Sequence, residues 1–168
     1  MRSHIILEEM GASGSVSDKI RLKNNNYISY ADEDTKGEIF HNELLNSGIN
    51  VLQARFIIDD ELIDKNQTEQ TETELFRETV KGIMSQSHYV LICISEKTTS
   101  SFHQAIEITT ALDNNTPVIY IMTDQSFTPL NTPCLNGFVK KHKWLPAYDK
   151  NTLIQTLDEV LRLLSVPV

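Results

Sequence analysis

Short apolar runs alternate along the chain with longer segments whose apolar residues recur at helical spacing, the arrangement that produces parallel strands joined by crossover helices. The clearest run is Tyr89-Val90-Leu91-Ile92-Cys93-Ile94, continuously apolar as a strand covered on both faces would be. Tyr27 to Tyr30, bounded by Asn24 to Asn26 and by Asp32 to Asp34, predicts the first central strand. Ile49 to Ile58 predicts the second, Val118 to Met122 follows Pro117 as another, and Lys143 to Leu145 predicts a short last one. Between the first two strands a helix capped by Asp34 or Thr35 is expected, with Phe40 and Leu44 on one face and Gly48 at its left-handed end. In Thr71-Glu72-Thr73-Glu74 a hydroxyl precedes a carboxylate by three places, which predicts a helix start. Phe76, Val80, Ile83 and Met84 give that helix its sheet-facing stripe. Ser101 with Gln104 predicts a further start and a helix to about Asp113, and Leu153, Ile154, Leu157, Val160, Leu161 and Leu164 form a final amphipathic helix.

A chain of 168 residues has the length of one domain and can bury a core without disulfide staples. Residues 1–23 stand apart: Ile5 to Met10 is a short apolar piece, and Gly11-Ala12-Ser13-Gly14-Ser15 favours a loop, so this segment is expected to be an arm or leader ahead of a domain over 24–168. The formal charge of -8 and pI near 5.1 argue against a nucleic-acid partner, whose phosphates require clustered Lys and Arg. The best basic patch, Lys140-Lys141-His142-Lys143, reads as a solvated turn before a strand. Cys93 lies inside an apolar run and reads as a small buried side chain, so it and Cys134 are expected to be reduced. No apolar stretch approaches the roughly 18 residues of a membrane helix and no export signal is visible, so no membrane contact and a cytoplasmic location are expected.

In an open parallel sheet, ligands bind outside the carboxyl ends of the strands. Three segments meet there: Ser29 to Asp34, Asp59 to Thr71, and Ser95 to Glu107. The first lacks the Gly-x-Gly-x-x-Gly of a dinucleotide fingerprint, there is no phosphate-cradling P-loop, and the third strand ends at Ser95 rather than at a phosphoacceptor Asp. Asp59 and Asp60 read as an acidic surface loop rather than a metal site, and no metal is expected. Glu107 is singled out because it lies in the first turns of a helix that begins at the ligand-facing edge, among apolar Ala105, Ile106 and Ile108. Two readings stay open. A partly desolvated carboxylate there can bond ribose hydroxyls and stabilise the positive charge of a breaking glycosidic bond; alternatively the residue lies on an exposed helix face.

The segment Asn25-Asn26-Tyr27-Ile28-Ser29-Tyr30-Ala31-Asp32-Glu33-Asp34 resembles the opening of a TIR (Toll/interleukin-1 receptor) domain. Leu44-Leu45-Asn46-Ser47-Gly48-Ile49-Asn50-Val51 resembles that family's first helix and its entry to the second strand. Ile83 to Ser95 resembles its "I-x-x-S-x-x-x-I-x-x-x-S" passage. The resemblance runs from about Asn24 to the C-terminus, in order and in spacing. It implies a flavodoxin-like three-layer α/β sandwich with a central parallel sheet of four to five strands. In TIR domains that are enzymes, a Glu on the helix after the third strand is required for cleaving NAD at the nicotinamide-ribose bond, and Glu107 falls at the matching place. A Trp often stands four residues earlier; His103 is there instead, beside Phe102. The resemblance therefore implies Glu107 as the catalytic residue and Ser29, Tyr30, Ala31, Asp32, Asp59, Ser95 and His103 as substrate-binding residues. NAD would be substrate and no further cofactor is implied. The product would be ADP-ribose or a cyclised isomer, plausible as an immune signal by likeness to stand-alone bacterial TIR proteins. Self-association through TIR-TIR contacts is implied as well. Two other readings remain: a non-catalytic assembly module, and an N-glycosidic enzyme of related architecture such as a nucleoside deoxyribosyltransferase-like protein.

Overall fold

The computed structural model describes residues 25–55, 69–126 and 143–165, with the side chains of 69–71 left aside. Its elements in chain order are β1 Asn25–Ser29, α1 Thr35–Asn46, β2 Val51–Leu52, α2 Glu69–Ser85, β3 Ser87–Ile94, a 3-10 turn Glu96–Ser100, α3 Phe102–Asp113, β4 Val118–Met122, β5 Trp144–Pro146 and α4 Lys150–Ser165. The five strands form one parallel sheet in the order β2-β1-β3-β4-β5, and helices on both faces make the three layers of a flavodoxin-like α/β fold.

Strand periodicity sorts the core into two halves, because successive side chains point to opposite faces. Tyr27, Val90, Ile92, Ile94 and Tyr120 pack with Phe76, Val80, Ile83 and Met84 of α2 and Ile106, Ile108 and Ala111 of α3. Ile28, Leu91, Cys93, Ile119 and Ile121 pack on the other face with Phe40 and Leu44 of α1 and Val160 of α4. The central run of β3 is buried on both sides, and its Cys93 is an enclosed free thiol whose pKa burial pushes up; Cys134 lies outside the described residues.

The caps explain why β1 and α1 meet as they do. Asp34 Oδ1 accepts the N–H of Gly37 at 2.9 Å, and its Oδ2 accepts the Thr123 hydroxyl at 2.7 Å, tying the start of α1 to the end of β4. Gly48 has φ +83°, the left-handed terminus expected of it.

Three expectations are corrected. The second strand is only Val51–Leu52, and the backbone turns helical at Ala54 and Arg55; residues 56–58 of the expected strand lie outside the described residues. A short apolar run does not by itself distinguish a strand from a strand running into a turn, and β2 is an edge strand bonded to β1 alone. Helix α2 begins at Glu69 rather than at Thr71, since Glu and Gln are good helix formers and carry the helix two residues beyond the capping signature. Gln104 does not reciprocate the cap: Ser101 Oγ accepts the Gln104 N–H at 3.1 Å, but the Gln104 side chain turns to the sheet. Among the described residues no helix is long and apolar enough to cross a membrane.

Candidate functional site

Tyr27 and Ser29 lie two apart on β1 and so face the same side of the sheet, the side covered by α3. Both reach Glu107. The Tyr27 hydroxyl donates to Glu107 Oε2, the Ser29 hydroxyl donates to Oε1 at 3.0 Å, and the Ala54 N–H donates to the Tyr27 oxygen at 3.2 Å. Glu107 is 0% exposed. Burial pushes its pKa from 4.5 up to about 7, against the opposing pull of the Tyr27 hydrogen bond, the Arg55 charge and the Ser29 hydrogen bond. A buried carboxyl poised between its two protonation states near neutrality is the kind of group that catalysis uses. The exposed-face reading of Glu107 is thus replaced by an enclosed one.

Next to this carboxyl, Gln104 is also fully buried, with Nε2 donating to the Cys93 carbonyl at 2.6 Å and the Ser29 carbonyl at 3.4 Å. Both partners are acceptors, so the amide orientation is fixed; Oε1 has no partner. Arg55 donates from Nη2 to the Tyr30 carbonyl at 2.9 Å, lies 5.4 Å from the Tyr30 ring centre and pairs with Asp32. Its guanidinium links the end of β1 to the residues following β2.

At the first turn of α3, one helical turn before Glu107, a cleft of about 290 Å³ opens between the end of β1 and the start of α3, lined by Ala31, Asp32, Glu33, Lys97, Ser100, Ser101, Phe102 and His103. That volume is at the lower limit for a small-molecule site and matches a nucleoside-sized fragment better than a dinucleotide. The His103 ring packs on Phe76 with centroids 4.5 Å apart, and its Nδ1 is 3.9 Å from Asp32. Glu107 is one helical turn further along α3, about 6 Å from His103 by helix geometry, and is not on the cleft's lining.

The residues named from the sequence therefore divide. Ala31, Asp32 and His103 line the cleft. Ser29 is not on its lining, and its hydroxyl is engaged by Glu107. The Tyr30 side chain packs on the opposite face, where its hydroxyl meets His41 Nδ1 at 3.0 Å, while Arg55 takes its carbonyl and lies over its ring. Ser95 caps the 3-10 turn: its Oγ accepts the Lys97 N–H at 3.2 Å while its own N–H donates to Thr98 Oγ1 at 3.0 Å. Asp59 and Asp60, with Lys140, Lys141 and His142, lie outside the described residues.

With that geometry in hand, comparison with known proteins is decisive for the family. The family model described as "Thoeris protein ThsB, TIR-like domain" matches residues 27–127, from β1 past the end of β4. The chain belongs to the ThsB TIR-like domain family. The match takes in Tyr27, Ser29, Asp32, Arg55, His103 and Glu107 together. Among solved structures, this TIR-like domain is similar to the TIR domain of the Toll-related receptor TRR-2 from Hydra magnipapillata, with a TM-score of 0.59 and 15% identity over 84% of this chain and 98% of that one. It is also similar to a metazoan TIR-STING receptor from C. gigas, with a TM-score of 0.50 and 16% identity over 85% of this chain and 40% of that one. At such identities the likeness is one of fold. No curated protein matches the chain.

Sequence reasoning missed Tyr27, Arg55, Gln104, Lys97 and the cap at Ser95. The period-two step from Ser29 back to Tyr27 was a usable signal for the first of these, and the three-residue step from Gln104 to Glu107 along α3 for another; the rest depend on loop geometry that spacing does not encode.

Proposed function

We propose that this TIR-like domain cleaves NAD at its nicotinamide-ribose bond, with Glu107 as the catalytic carboxylate. The supporting observation is that carboxyl: enclosed one helical turn from a nucleoside-sized cleft, held on both oxygens by Tyr27 and Ser29, with its pKa near 7. The breaking C–N bond gives its electron pair to the pyridinium ring, so nicotinamide leaves neutral and positive charge passes to the ribose. A carboxylate in a low-dielectric setting stabilises that charge far more than one in water does. Attack by water then yields ADP-ribose and a proton; attack by a nucleophile elsewhere in the same molecule yields a cyclic ADP-ribose, one water lighter, and likewise releases a proton, and either product would serve as the immune signal. Ala31, Asp32 and His103 line the entrance and would position the nicotinamide riboside half. Since Glu107 is enclosed, the first turn of α3 has to shift before ribose hydroxyls reach it.

The test is nicotinamide release by purified protein over a range of protein concentrations, against Glu107→Gln. Release by the wild type and a loss of at least about 100-fold in the variant are expected, given that general acid–base and electrostatic groups contribute on that order. Equal release by both removes Glu107 from the chemistry, and turnover of deoxynucleosides but not NAD would reassign the substrate.

A second reading, assembly without catalysis, is favoured by a separate observation. A groove of about 440 Å³ between α1 and α4 is lined by Ile39, Leu153, Ile154 and Leu157, with Ile39 50% and Ile154 46% exposed. Lys36 and Lys150 edge it alongside Glu43 and Asp149. Charges of both signs around an apolar floor suit a second copy of the same surface across a two-fold axis.

A further inference from the structure

Tyr27 is a fully buried phenol in the middle of β1, and its ring already has a place in the core with Leu52, Phe76 and Val90. A phenylalanine would fill that space as well. The hydroxyl is nevertheless present, and it stands between two partners from different parts of the chain, the Ala54 N–H beyond β2 and the Glu107 carboxyl on α3. Ser29 secures the other oxygen from the same strand. Each oxygen of the carboxyl is thus held by a different β1 side chain, which removes its freedom to rotate about the terminal bond.

We propose that Tyr27 is a positioning residue of the active site, its hydroxyl anchored by Ala54 so that it fixes Glu107 Oε2 and favours the charged carboxylate. The proposal rests on the reading of Glu107 as the working group, and it adds a residue that does not itself touch substrate. Accepting the Ala54 N–H leaves the Tyr27 O–H with Glu107 as its acceptor, so the donor direction is set by the backbone. The ionisable groups acting on Glu107 are Tyr27 from β1 and Arg55 beyond β2, and both pull its pKa down while burial drives it up. The phenol stays protonated throughout, since burial and the neighbouring carboxylate raise its own pKa well above the ordinary value. Tyr27 therefore acts as a fixed donor, not as a proton carrier.

The experiment titrates the Glu107 carboxyl by carbon-13 NMR in the full chain, with Glu107→Gln identifying the signal, and follows nicotinamide release against pH in parallel. In Tyr27→Phe the midpoint is expected to rise from about 7 by one unit or more, because a hydrogen bond to a charged group is worth roughly that much. At pH 7, kcat is expected to fall at least about fivefold, as the ionised fraction does when a midpoint near 7 rises by one unit, with KM within about twofold, and the activity profile to move up by the same interval as the NMR midpoint. An unmoved midpoint in folded Tyr27→Phe overturns the proposal. If that variant does not fold, 3-fluorotyrosine at position 27 keeps the shape and offers a more acidic donor, and it must lower the midpoint; no change there is equally fatal. If the wild type releases no nicotinamide, the catalytic reading fails by itself, while the NMR midpoints still decide what Tyr27 does to Glu107.

Discussion

A carboxyl held near pH 7 inside the domain makes stability depend on pH in the sense opposite to a salt-bridged carboxylate. Between the unfolded value of 4.5 and the folded value of about 7, the native state binds more protons than the unfolded state. Stability therefore falls as pH rises through that window. A shift of this size corresponds to about 3 kcal/mol in total. Urea unfolding between pH 4.5 and 7.5 is expected to show wild type losing stability relative to Glu107→Gln by about that amount; parallel curves would mean that the carboxyl titrates normally. His41 works in the other direction. It is buried on the opposite face beside Tyr30, and burial lowers its pKa from 6.5. The unfolded chain thus binds the extra proton, and stability is lost as pH falls below 6.5. His41→Gln should flatten that acid limb while leaving the Glu107 limb in place, which differential unfolding of the two variants would read separately.

At the scale of elements, two glycines in helices give opposite expectations. Gly37 occupies the first turn of α1, and a Cβ there would stand 2.8 Å from Tyr30 Cβ and 2.9 Å from its Cγ. Helix propensity alone favours alanine by about 1 kcal/mol, but Tyr30 is pinned through its hydroxyl to His41 and cannot withdraw freely. Overpacking wins, and Gly37→Ala is expected to cost about 1–3 kcal/mol. Gly82, within α2, would place a Cβ in open space, so Gly82→Ala is expected to gain about 0.5–1 kcal/mol. Chemical denaturation of both variants checks the pair. The same elements show why some of the fold was legible in the sequence. The strand β4, Val118–Met122, and helix α3 to Asp113 came directly from an apolar run after Pro117 and from the Ser101 cap. Their signals are local and complete. By contrast, β2 shrinks to two residues because it is an edge strand bonded only to β1, a tertiary fact that no window of sequence contains. The site divides in the same way: Glu107 was visible from its place on a helix after the third strand, but its bonds to Tyr27 and Ser29 span 80 and 78 residues. Burial of a charged side chain in particular is invisible until its partners are known.

For the molecule as a whole, the enclosed carboxyl and the apolar groove raise one question, whether association opens the site. The groove lies between α1 and α4, and Asp34 at the N-cap of α1 is bonded to Thr123 at the end of β4, a link through which a displacement of α1 would reach the carboxyl edge of the sheet. A net charge of -8 opposes association of like chains at low ionic strength. Salt screens that repulsion over about 8–10 Å near physiological strength while leaving apolar burial intact. Sedimentation velocity is therefore expected to show an average mass that rises with protein concentration and, at fixed concentration, with added salt. Ile154→Glu places a charge in the groove floor and should hold the chain as a monomer under both conditions. If association shifts the first turn of α3, nicotinamide released per mole of protein should rise with concentration in the wild type and stay flat in Ile154→Glu. A monomer at every concentration would dispose of the groove as a self-association surface, and activity independent of concentration would show that the carboxyl is reached without a partner.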